Sequence, residues 1–516
     1  MTQVLERQAA AAAMPQAQMC EAPDGGEICE KVATLLERFA AAGVVYCYWR
    51  SLARLGRALR GQSDLDLLVA RESRQLTETI LLGSGFKRFP AIASRQIPGV
   101  ESYLGHDERG GRLVHVHLHH RLVLGEALLK QFHPPWEKAL LARRERHAGA
   151  GVPVFDAESE AVLLAARMAC EMSWADPVGG WRHAKQRAKF EADRAGLAER
   201  VDATRLRLRA EELLGAGSGD LAVAFITRPE WSAGHDALLR HARRALAPYR
   251  SGSMVEIAAT RLWRVAAAAF GRLNRRVLLQ PRPWARRCPG GGLVVAVMGV
   301  DGSGKSTLVR ALHEWLGSEV DVLPVYFGTG DGRPSLLLRP FKALVPLATR
   351  LLRRKPRGSS HGAVSATAPG FAYSVLLTVW ASVLAVEKRA KLRAARRAAD
   401  RGMVVLGDRF PQDEIASYND GPLLPRLVGV PGFLRRFEAA SYAAARVLPP
   451  DLVIKLAAPV ETLAEREPSM DRAVMRERVA SLQALSFPRS RVVVLAADNP
   501  LETVIADARR AVWKLI

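Results

Sequence analysis

The sequence predicts an α/β protein with three parts: a small α/β domain near the N-terminus, a helical connector, and a C-terminal domain with a parallel, doubly wound sheet. Three observations support this fold class. Strand-like and helix-like segments alternate in the first and last parts. The region between them reads almost wholly as helix, and a stretch rich in Pro, Gly and Arg separates it from the last part. A chain of 516 residues is long enough for two to four hydrophobic cores.

Shifts in composition set the expected domain boundaries. The first residues are rich in Ala and Gln, which is typical of disorder, and a basic low-complexity stretch between Arg339 and Gly370 is expected to be a mobile loop. The expected parts are a disordered N-terminus at 1–28, the first domain at 29–150, the connector at 151–280, a linker at 281–292 and the last domain at 293–516.

Hydrophobic periodicity predicts the individual elements. In the first domain it predicts helices at Glu30–Ala42, Leu52–Leu59 and Glu72–Leu82, and strands at Val44–Tyr48 and Asp64–Val69, with strand-rich sequence to about Leu124. In the last domain it predicts a helix at Ser306–Leu316 and strands at Leu293–Met298, Val320–Tyr326, Met403–Leu406, Leu452–Leu456 and Val492–Leu495. Strands that alternate with helices favour a parallel sheet.

Composition excludes some functional classes and leaves others open. Nearly half of the residues are apolar and a quarter are charged, which is typical of an ordinary globular protein and not of a fibrous one. The formal net charge is +23. This charge favours anionic partners such as phosphates, nucleic acid or an acidic membrane face, and charge alone does not choose among them.

Cysteine usage and hydropathy predict a cytoplasmic protein. The five cysteines form no C-x-x-C pair, which favours a reducing compartment over a disulfide framework or a zinc ribbon. No apolar segment follows a basic start, and we therefore expect no secretory signal. The segment Phe371–Val386 is uncharged over 16 residues, fewer than the roughly 20 that a spanning helix needs. We expect a buried helix there and no transmembrane segment.

A glycine-rich motif in the last domain predicts a nucleotide site. Gly299-Val-Asp-Gly-Ser-Gly-Lys-Ser306 fits the P-loop pattern and lies between a predicted strand and an amphipathic helix. Backbone N–H groups of such a loop face the phosphates of ATP, Lys305 reaches the β and γ oxygens, and Ser306 can ligate Mg²⁺. The expected nucleotide-binding residues are Gly299, Asp301, Gly302, Ser303, Gly304, Lys305, Ser306 and Thr307.

A second group of candidate catalytic residues follows the strand Met403–Leu406. That strand delivers Asp408 and Arg409 to its carboxyl end, the edge at which open α/β sheets bind ligands. A carboxylate at this position can join the Mg²⁺ shell, and an arginine can clamp a phosphate. The alternative is a surface ion pair at a strand end.

These motifs resemble the thymidylate kinase family, from about Leu293 to Ile516. The resemblance lies in the P-loop G-V-D-G-S-G-K-S-T, in Asp408-Arg409-Phe410, and in the strand Pro450–Leu456 that leads to Leu463-Ala-Glu-Arg466. It implies an ATP- and Mg²⁺-dependent kinase in which Asp301 contacts the acceptor and Asp408 and Arg409 form the family's Asp-Arg pair. It also makes a dimer plausible.

This chain departs from the family in several places. Some members carry an arginine where this chain has Gly302, and the missing positive charge must then come from the presumed lid, where Arg466 matches the family. Tyr326–Gly332 replaces the family's acceptor-binding segment. The acceptor is therefore expected to be a small anionic or sugar compound rather than thymidylate. Further candidate lid residues are Arg472, Arg476 and Arg478, and Lys388 and Arg389 precede the Asp-Arg strand.

Two carboxylates predict a metal site in the first domain. Asp64 and Asp66 lie at i and i+2 on one strand face, a spacing that suits Mg²⁺ ions holding a triphosphate. Together with Trp49-Arg-Ser51 and Gly61, they resemble the nucleotidyltransferase superfamily over about residues 30–125. Such enzymes take a third carboxylate from a neighbouring strand.

The strand expected to supply that third carboxylate, Leu113–His120, offers histidines instead. His115, His117 and His119 share one face, and two of them could bind a metal or a phosphate. The alternative is an ordinary polar strand face.

Three functions remain open from the sequence. One is a small-molecule kinase that uses Lys305, Ser306 and Asp408. A second is nucleotidyl transfer through Asp64 and Asp66. A third is a nucleotide-dependent binding protein whose basic surface contacts a polyanion or the periphery of an acidic membrane.

Overall fold

The computed structural model describes residues 26–171, 180–228, 230–278, 280–328, 371–415, 420–426 and 430–516. Disorder was predicted for residues 1–28, of which 1–25 lie outside these residues, as does the mobile loop predicted between Arg339 and Gly370. Chain contacts divide the protein into two compact units. The first contains most of the chain up to Thr260, and the second contains most of the chain from Arg261, together with Lys87–Gln96 and Glu108–Leu113.

The first unit contains a mixed sheet of seven strands, in the order β3-β4-β5-β2-β1-β7-β6. Strand β2 pairs in parallel with β5 and antiparallel with β1, so that β2 is central and is buried along its whole length. The strands are β1 (Tyr46–Tyr48), β2 (Leu65–Val69), β3 (Phe86–Arg88), β4 (Val100–Asp107), β5 (Arg112–His119), β6 (Arg144–Arg146) and β7 (Pro153–Phe155).

Helices cover this sheet and continue beyond it. Helix α5 is buried along most of its length because its Ala, Leu and Val side chains pack on every side. Asp202 caps α7, since its carboxylate accepts the backbone N–H of Arg205 at 2.8 Å. The helices are α1 (Glu30–Ala41), α2 (Leu55–Leu59), α3 (Arg74–Gly83), α4 (Glu137–Ala142), α5 (Ala157–Glu171), α6 (Gly180–Ala198), α7 (Ala203–Leu214), α8 (Gly219–Thr227) and α9 (Ala233–Leu246). Helix α10 (Met254–Leu273) begins in the first unit and continues into the second from Arg261.

The second unit contains a sheet of five strands, all parallel, in the order β12-β11-β8-β10-β9. Strand β8 is an unbroken apolar run that is fully buried, as expected for a parallel strand covered on both faces. The strands are β8 (Leu293–Gly299), β9 (Val322–Tyr326), β10 (Val404–Asp408), β11 (Leu452–Ala457) and β12 (Arg491–Ala496).

Helices alternate with these parallel strands. They are α11 (Lys305–Gly317), α12 (Phe371–Asp400), α13 (Gly432–Val447), α14 (Val460–Arg466), α15 (Arg472–Ala484) and α16 (Leu501–Leu515). Since β8 and β10 are neighbours and run in the same direction, the turn after β8 and the end of β10 lie at one edge of the sheet. This edge is where the candidate site of the second unit forms.

Most predicted elements are present, with shifted ends. The parallel sheet is confirmed, and the first helix ends one residue earlier than predicted. The helix predicted at Leu52–Leu59 begins as a 3₁₀ turn, and only Leu55–Leu59 is α-helical. The strand predicted from Val44 begins at Tyr46. Local sequence pattern thus identifies elements better than it places their ends.

The uncharged segment Phe371–Val386 forms the first half of α12. From residue 378 onward some of its side chains, such as Ala381 and Leu384, are buried, whereas Val379 and Val386 are about half exposed. The helix predicted there is present, and the predicted burial holds for some of its described side chains and not for others. Among the described residues, no helix is both long enough and apolar enough to cross a membrane.

Cys29, Cys47, Cys170 and Cys288 are buried and free of disulfide bonds. Burial raises the pKa of the Cys170 and Cys288 thiols to about 12. These four cysteines therefore behave as small apolar side chains of the core.

Candidate functional site

The glycine-rich turn Gly299–Ser306 joins β8 to the N-terminus of α11. Gly302 and Gly304 have φ angles of +83° and +88°, a region that favours glycine. A Cβ atom at Gly299 would lie 2.3 Å from Ser303 Oγ. Glycine is therefore required at these positions for the turn to close tightly over the end of the strand.

Lys305 lies at the start of α11 and is buried. Its Nζ atom donates a hydrogen bond to the Val300 carbonyl at 2.9 Å and lies 3.5 Å from Asp301 Oδ1. Burial, assisted by the nearby Arg409 guanidinium, lowers the pKa of Lys305 from its usual value. The turn thus curls around a partly desolvated ammonium group, which favours an anionic ligand.

Asp408 reaches the turn from the end of β10. In the parallel register Asp408 lies opposite Val297 of β8, and Ser306 Oγ donates to Asp408 Oδ2 at 2.6 Å. The second oxygen, Oδ1, is buried and has no hydrogen-bond partner among the described residues. Mg²⁺ prefers oxygen ligands. Here the Ser306 hydroxyl lies beside Asp408, whose Oδ1 accepts no hydrogen bond from the described residues and is available as a ligand. Both predicted metal residues of this unit therefore fit that ion.

A cluster of charged side chains lies beside the turn. Arg409 and Arg478 both donate to Asp301, Arg478 at 2.8 Å. Arg409 also lies 3.6 Å from Asp420 Oδ2, and Asp420 Oδ1 lies 3.3 Å from the buried Lys388 ammonium. Asp301 is thus held by two guanidinium groups, and Asp420 links Arg409 to Lys388.

A cavity of about 1070 Å³ opens in front of these residues. Its walls come from the turn, the end of β10, and the segment from α14 to α15. The lining residues are Asp301, Gly302, Gly304, Lys305, Ser306, Thr307, Tyr326, Asp408, Arg409, Glu467, Ser469, Met470, Asp471, Ala473, Val474 and Glu477. The volume is ample for a small molecule with several polar groups.

The candidate lid arginines have different surroundings. Arg466 donates to the Ala497 carbonyl at 3.0 Å, and neither Arg466 nor Arg478 lines the cavity. Arg472 and Arg476 are exposed. Arg478 is buried and contacts Asp301. Arg478 therefore contacts a residue of the glycine-rich turn, as a lid arginine should, whereas Arg466 contacts Ala497.

A second cluster of ionisable side chains lies in the first unit, where β2 pairs with β5. The parallel register places Asp66 opposite His117. His115 Nδ1 lies 2.8 Å from Asp64 Oδ1, and His117 Nδ1 lies 3.7 Å from Asp64 Oδ2. Asp64, His115 and His117 each offer one ligand atom, and these atoms lie within 4.8 Å of one another. The three predicted histidines do share one face.

Asp66 has a crowded environment. Its Oδ2 lies 3.1 Å from Arg50 Nε, and its Oδ1 lies 3.3 Å from His117 Nδ1 and 3.2 Å from His119 Nε2. Although burial opposes the charged form, Arg50 and the two histidines hold the pKa of Asp66 well below its usual value. Burial lowers the pKa of His119 to about 4. A pair of Mg²⁺ ions would have to displace Arg50 and would find imidazoles where a third carboxylate is expected. These residues therefore do not fit two Mg²⁺ ions.

Sequence reasoning did not identify two residues of these clusters. Arg50 lies in the Trp49-Arg-Ser51 segment on which the nucleotidyltransferase resemblance rests, and that resemblance could have identified it as a candidate site residue. Asp420 has no local signal, since it lies 12 positions beyond Asp408 and belongs to no motif of the sequence.

The geometry defines an α/β protein with one cluster of ionisable side chains in each of two units. Residues 54–208 match the model of a family described as an uncharacterised nucleotidyltransferase. The matched range contains Asp64, Asp66 and the three histidines. The first unit thus contains a nucleotidyltransferase-like region, as the resemblance implied.

Curated relatives add a second likeness. The chain is 28% identical over 227 residues to the uncharacterized ATP-binding protein YghR of Escherichia coli (strain K12), covering 42% of this chain and 86% of that protein. It is 28% identical over 226 residues to the uncharacterized ATP-binding protein YghS of the same strain, covering 42% and 92%. The thymidylate kinase resemblance and the roles of the individual site residues stay predictions.

Proposed function

We propose that the second unit is an ATP-dependent kinase of thymidylate-kinase-like type, which transfers the γ-phosphate of ATP to a small anionic or sugar acceptor. The observation that carries the proposal is the meeting of two segments 102 positions apart, where Ser306 Oγ donates to Asp408 beside the buried Lys305. A P-loop kinase needs these three groups together. YghR and YghS are described as ATP-binding proteins, which supports ATP as the nucleotide.

The turn binds the phosphates in this proposal. The first backbone N–H groups of α11 have no partner within the helix and present the positive end of its dipole. Lys305 exchanges its contacts with Val300 and Asp301 for phosphate oxygens, which offer a more complete charge partner. Its burial strengthens the attraction, because water screens the charges less.

Ser306 and Asp408 hold the Mg²⁺ ion in this proposal. The unpartnered Asp408 Oδ1 supplies a charged ligand, and the Ser306 hydroxyl supplies a neutral one. When bound, the ion neutralises charge on the β- and γ-phosphates. Asp408 Oδ2 accepts a hydrogen bond from Ser306, which fixes the orientation of both side chains.

The charge cluster at Asp301 serves the acceptor and the transferring group. This chain has Gly302 where some relatives of the resembled family carry an arginine, and Arg409 and Arg478 supply positive charge beside that position. Arg466, the other candidate, has its Cβ 3.5 Å from where a Cβ of Gly302 would lie. We favour Arg478 because its guanidinium already faces the turn. Asp301 bridges the two arginines, because each of its oxygens accepts a hydrogen bond from one of them.

An acceptor screen with γ-labelled ATP tests the kinase. The panel contains nucleotides, sugars and lipid-linked glycans, with Mg²⁺ present. We expect one class to be labelled by the wild type and by Asp64→Ala, with at least 100-fold less label for Lys305→Ala. A labelled product that persists in Lys305→Ala would contradict the assignment, as would bound ATP that labels nothing in the panel.

Nucleotidyl transfer in the first unit is the second candidate. The family match over residues 54–208 favours it, because that range contains Asp64 and Asp66. Pyrophosphate release separates the two functions. Nucleotidyl transfer predicts pyrophosphate release that is lost in Asp64→Ala and kept in Lys305→Ala, whereas the kinase releases ADP and no pyrophosphate from either variant.

A further inference from the structure

The cluster in the first unit has the geometry of a metal site, but not of the site that its family match implies. Nucleotidyltransferase-like enzymes hold a triphosphate with Mg²⁺ on carboxylates, and Mg²⁺ prefers oxygen ligands. The donors that converge in this chain are one carboxylate and two imidazoles, from Asp64, His115 and His117. Imidazole is a ligand for zinc, copper, nickel and iron.

We propose that Asp64, His115 and His117 bind a single divalent ion of the zinc class. This proposal does not rest on the kinase activity of the second unit, and it holds whether or not the first unit transfers nucleotides. The proposal concerns which metal ion the first unit binds. The identity of that ion determines which anionic ligands the site can activate.

The spacing of the donor atoms fits such an ion. Zinc binds imidazole nitrogen and carboxylate oxygen at roughly 2.0–2.2 Å, which places neighbouring donors of a tetrahedral site about 3.3 Å apart. His115 Nδ1 lies 2.8 Å from Asp64 Oδ1, His117 Nδ1 lies 3.7 Å from Asp64 Oδ2, and one donor atom of each of the three residues lies within 4.8 Å of the others. The three donors are therefore near enough for side-chain rotations to bring them onto one ion.

The backbone holds the two histidines in place. Both lie on β5, two positions apart and on one face, with ring centroids 4.0 Å apart and ring planes at 71°. Strand β2 positions Asp64 beside them through the parallel register that starts at Leu65 opposite Val116. A central strand pair is a rigid scaffold, because both strands are hydrogen-bonded along both edges.

Asp66 contributes by staying out of the ligand set. Arg50 occupies one of its oxygens, and His119 and His117 contact the other, so that metal binding replaces the contact of His117 Nδ1 with Asp66. The Arg50–Asp66 pair balances its own charge, and Asp64 is left as the carboxylate of the site. A divalent ion on Asp64 and two neutral imidazoles keeps one net positive charge, which attracts an anionic ligand.

One coordination position of the proposed site faces solvent. The Asp64 side chain is 47% exposed, whereas His115 is almost fully buried. Three protein ligands with an open fourth position is the arrangement of catalytic zinc sites, where water or a substrate oxygen completes the shell. The ligand class that fits this open position is a water molecule or a phosphate oxygen.

Metal titration of the untagged, full-length chain tests the proposal. The protein is stripped with chelator and titrated with Co²⁺ and Zn²⁺ without nucleotide, first alone and then with millimolar Mg²⁺. We expect one Co²⁺ per chain with the visible spectrum of a tetrahedral nitrogen–oxygen site. We also expect displacement by Zn²⁺ and not by Mg²⁺.

Ligand variants complete the test. His117→Gln and Asp64→Asn should each weaken Co²⁺ binding at least tenfold, whereas His313→Gln, which removes an imidazole from α11, should leave it unchanged. Asp64→Asn should not disturb the fold, because the Asp64 side chain is half exposed just before β2. Circular dichroism verifies the fold of each variant. The proposal is overturned if Co²⁺ does not bind, if Mg²⁺ displaces it at similar concentrations, or if both ligand variants bind as the wild type does.

Discussion

Replacing Asp408 with Asn removes a negative charge at the end of β10 and preserves the shape of the side chain. Asp408 is only 8% exposed, and its Oδ1 has no hydrogen-bond partner among the described residues. A buried polar oxygen without a partner costs about 1–3 kcal/mol. Losing its charge relieves part of this cost and removes an attraction to Lys305. We therefore expect the free energy of unfolding of the nucleotide-free variant to lie within about 1 kcal/mol of the wild-type value.

The effect should appear when Mg-ATP is added. A ligand present at 100 times its dissociation constant stabilises the folded protein by about 2.7 kcal/mol. If Asp408 holds the ion, a hundredfold loss of affinity reduces this stabilisation to about 0.4 kcal/mol. Each kcal/mol shifts the melting temperature by roughly 2–4 °C for a unit of this size. The shift caused by Mg-ATP should fall from roughly 5–10 °C to about 1 °C.

Scanning calorimetry of the full chain, with ATP in Mg²⁺ or in EDTA, measures these shifts. Asp400→Asn is the matched control, since Asp400 is an exposed residue of α12 paired only at the surface with Arg396. It should keep the wild-type shift. If Asp408→Asn also keeps the full Mg²⁺-dependent shift, Asp408 does not hold the ion and the proposed site geometry is refuted.

Three further predictions concern packing, charge and surface. Asp301→Asn removes the carboxylate charge that faces the buried Arg478, and it should lower the free energy of unfolding by about 2 kcal/mol in urea titrations. A loss below about 0.5 kcal/mol would show that the contact is not a stabilising pair. Gly292→Ala should destabilise by more than about 2 kcal/mol, because its Cβ would lie 1.9 Å from a backbone oxygen, whereas Gly432→Ala, with open space around it, should be tolerated. The side chain of Leu262 in α10 is 72% exposed on a strongly basic chain; Leu262→Glu should reduce flotation with anionic vesicles, and equal binding to neutral vesicles would argue against an acidic membrane contact.

Local sequence was sufficient for features that depend on neighbouring residues. The turn Gly299–Ser306 follows from glycines whose backbone angles other residues avoid, and the motif is therefore visible without the fold. The parallel sheet followed from alternating strands and helices, because parallel strands need crossover connections. The pairing of Asp408 with the turn was also predictable, since carboxyl ends of parallel strands meet at one edge.

The rest depended on contacts between distant segments. The sequence favoured Arg466 over Arg478 because Arg466 matches the family lid, and only the orientation of α14 and α15 turns Arg466 toward Ala497 and Arg478 toward Asp301. Asp420 joins Arg409 to Lys388 from a segment with no local pattern. Helix orientation and loop placement are set by packing, which no short window of sequence contains.

For the first unit, the sequence by itself determined that Asp64 and Asp66 share a strand face and that three histidines share another. The resemblance to nucleotidyltransferases suggested Leu113–His120 as the neighbouring strand, but the residue patterns fixed neither that pairing nor its register. Only the tertiary structure decided that β2 pairs with β5 in the register that places Asp66 opposite His117 and brings Asp64 to His115. Residues about fifty positions apart thus form one cluster, because strand pairing is fixed by the burial of both faces of the sheet and not by the local chain.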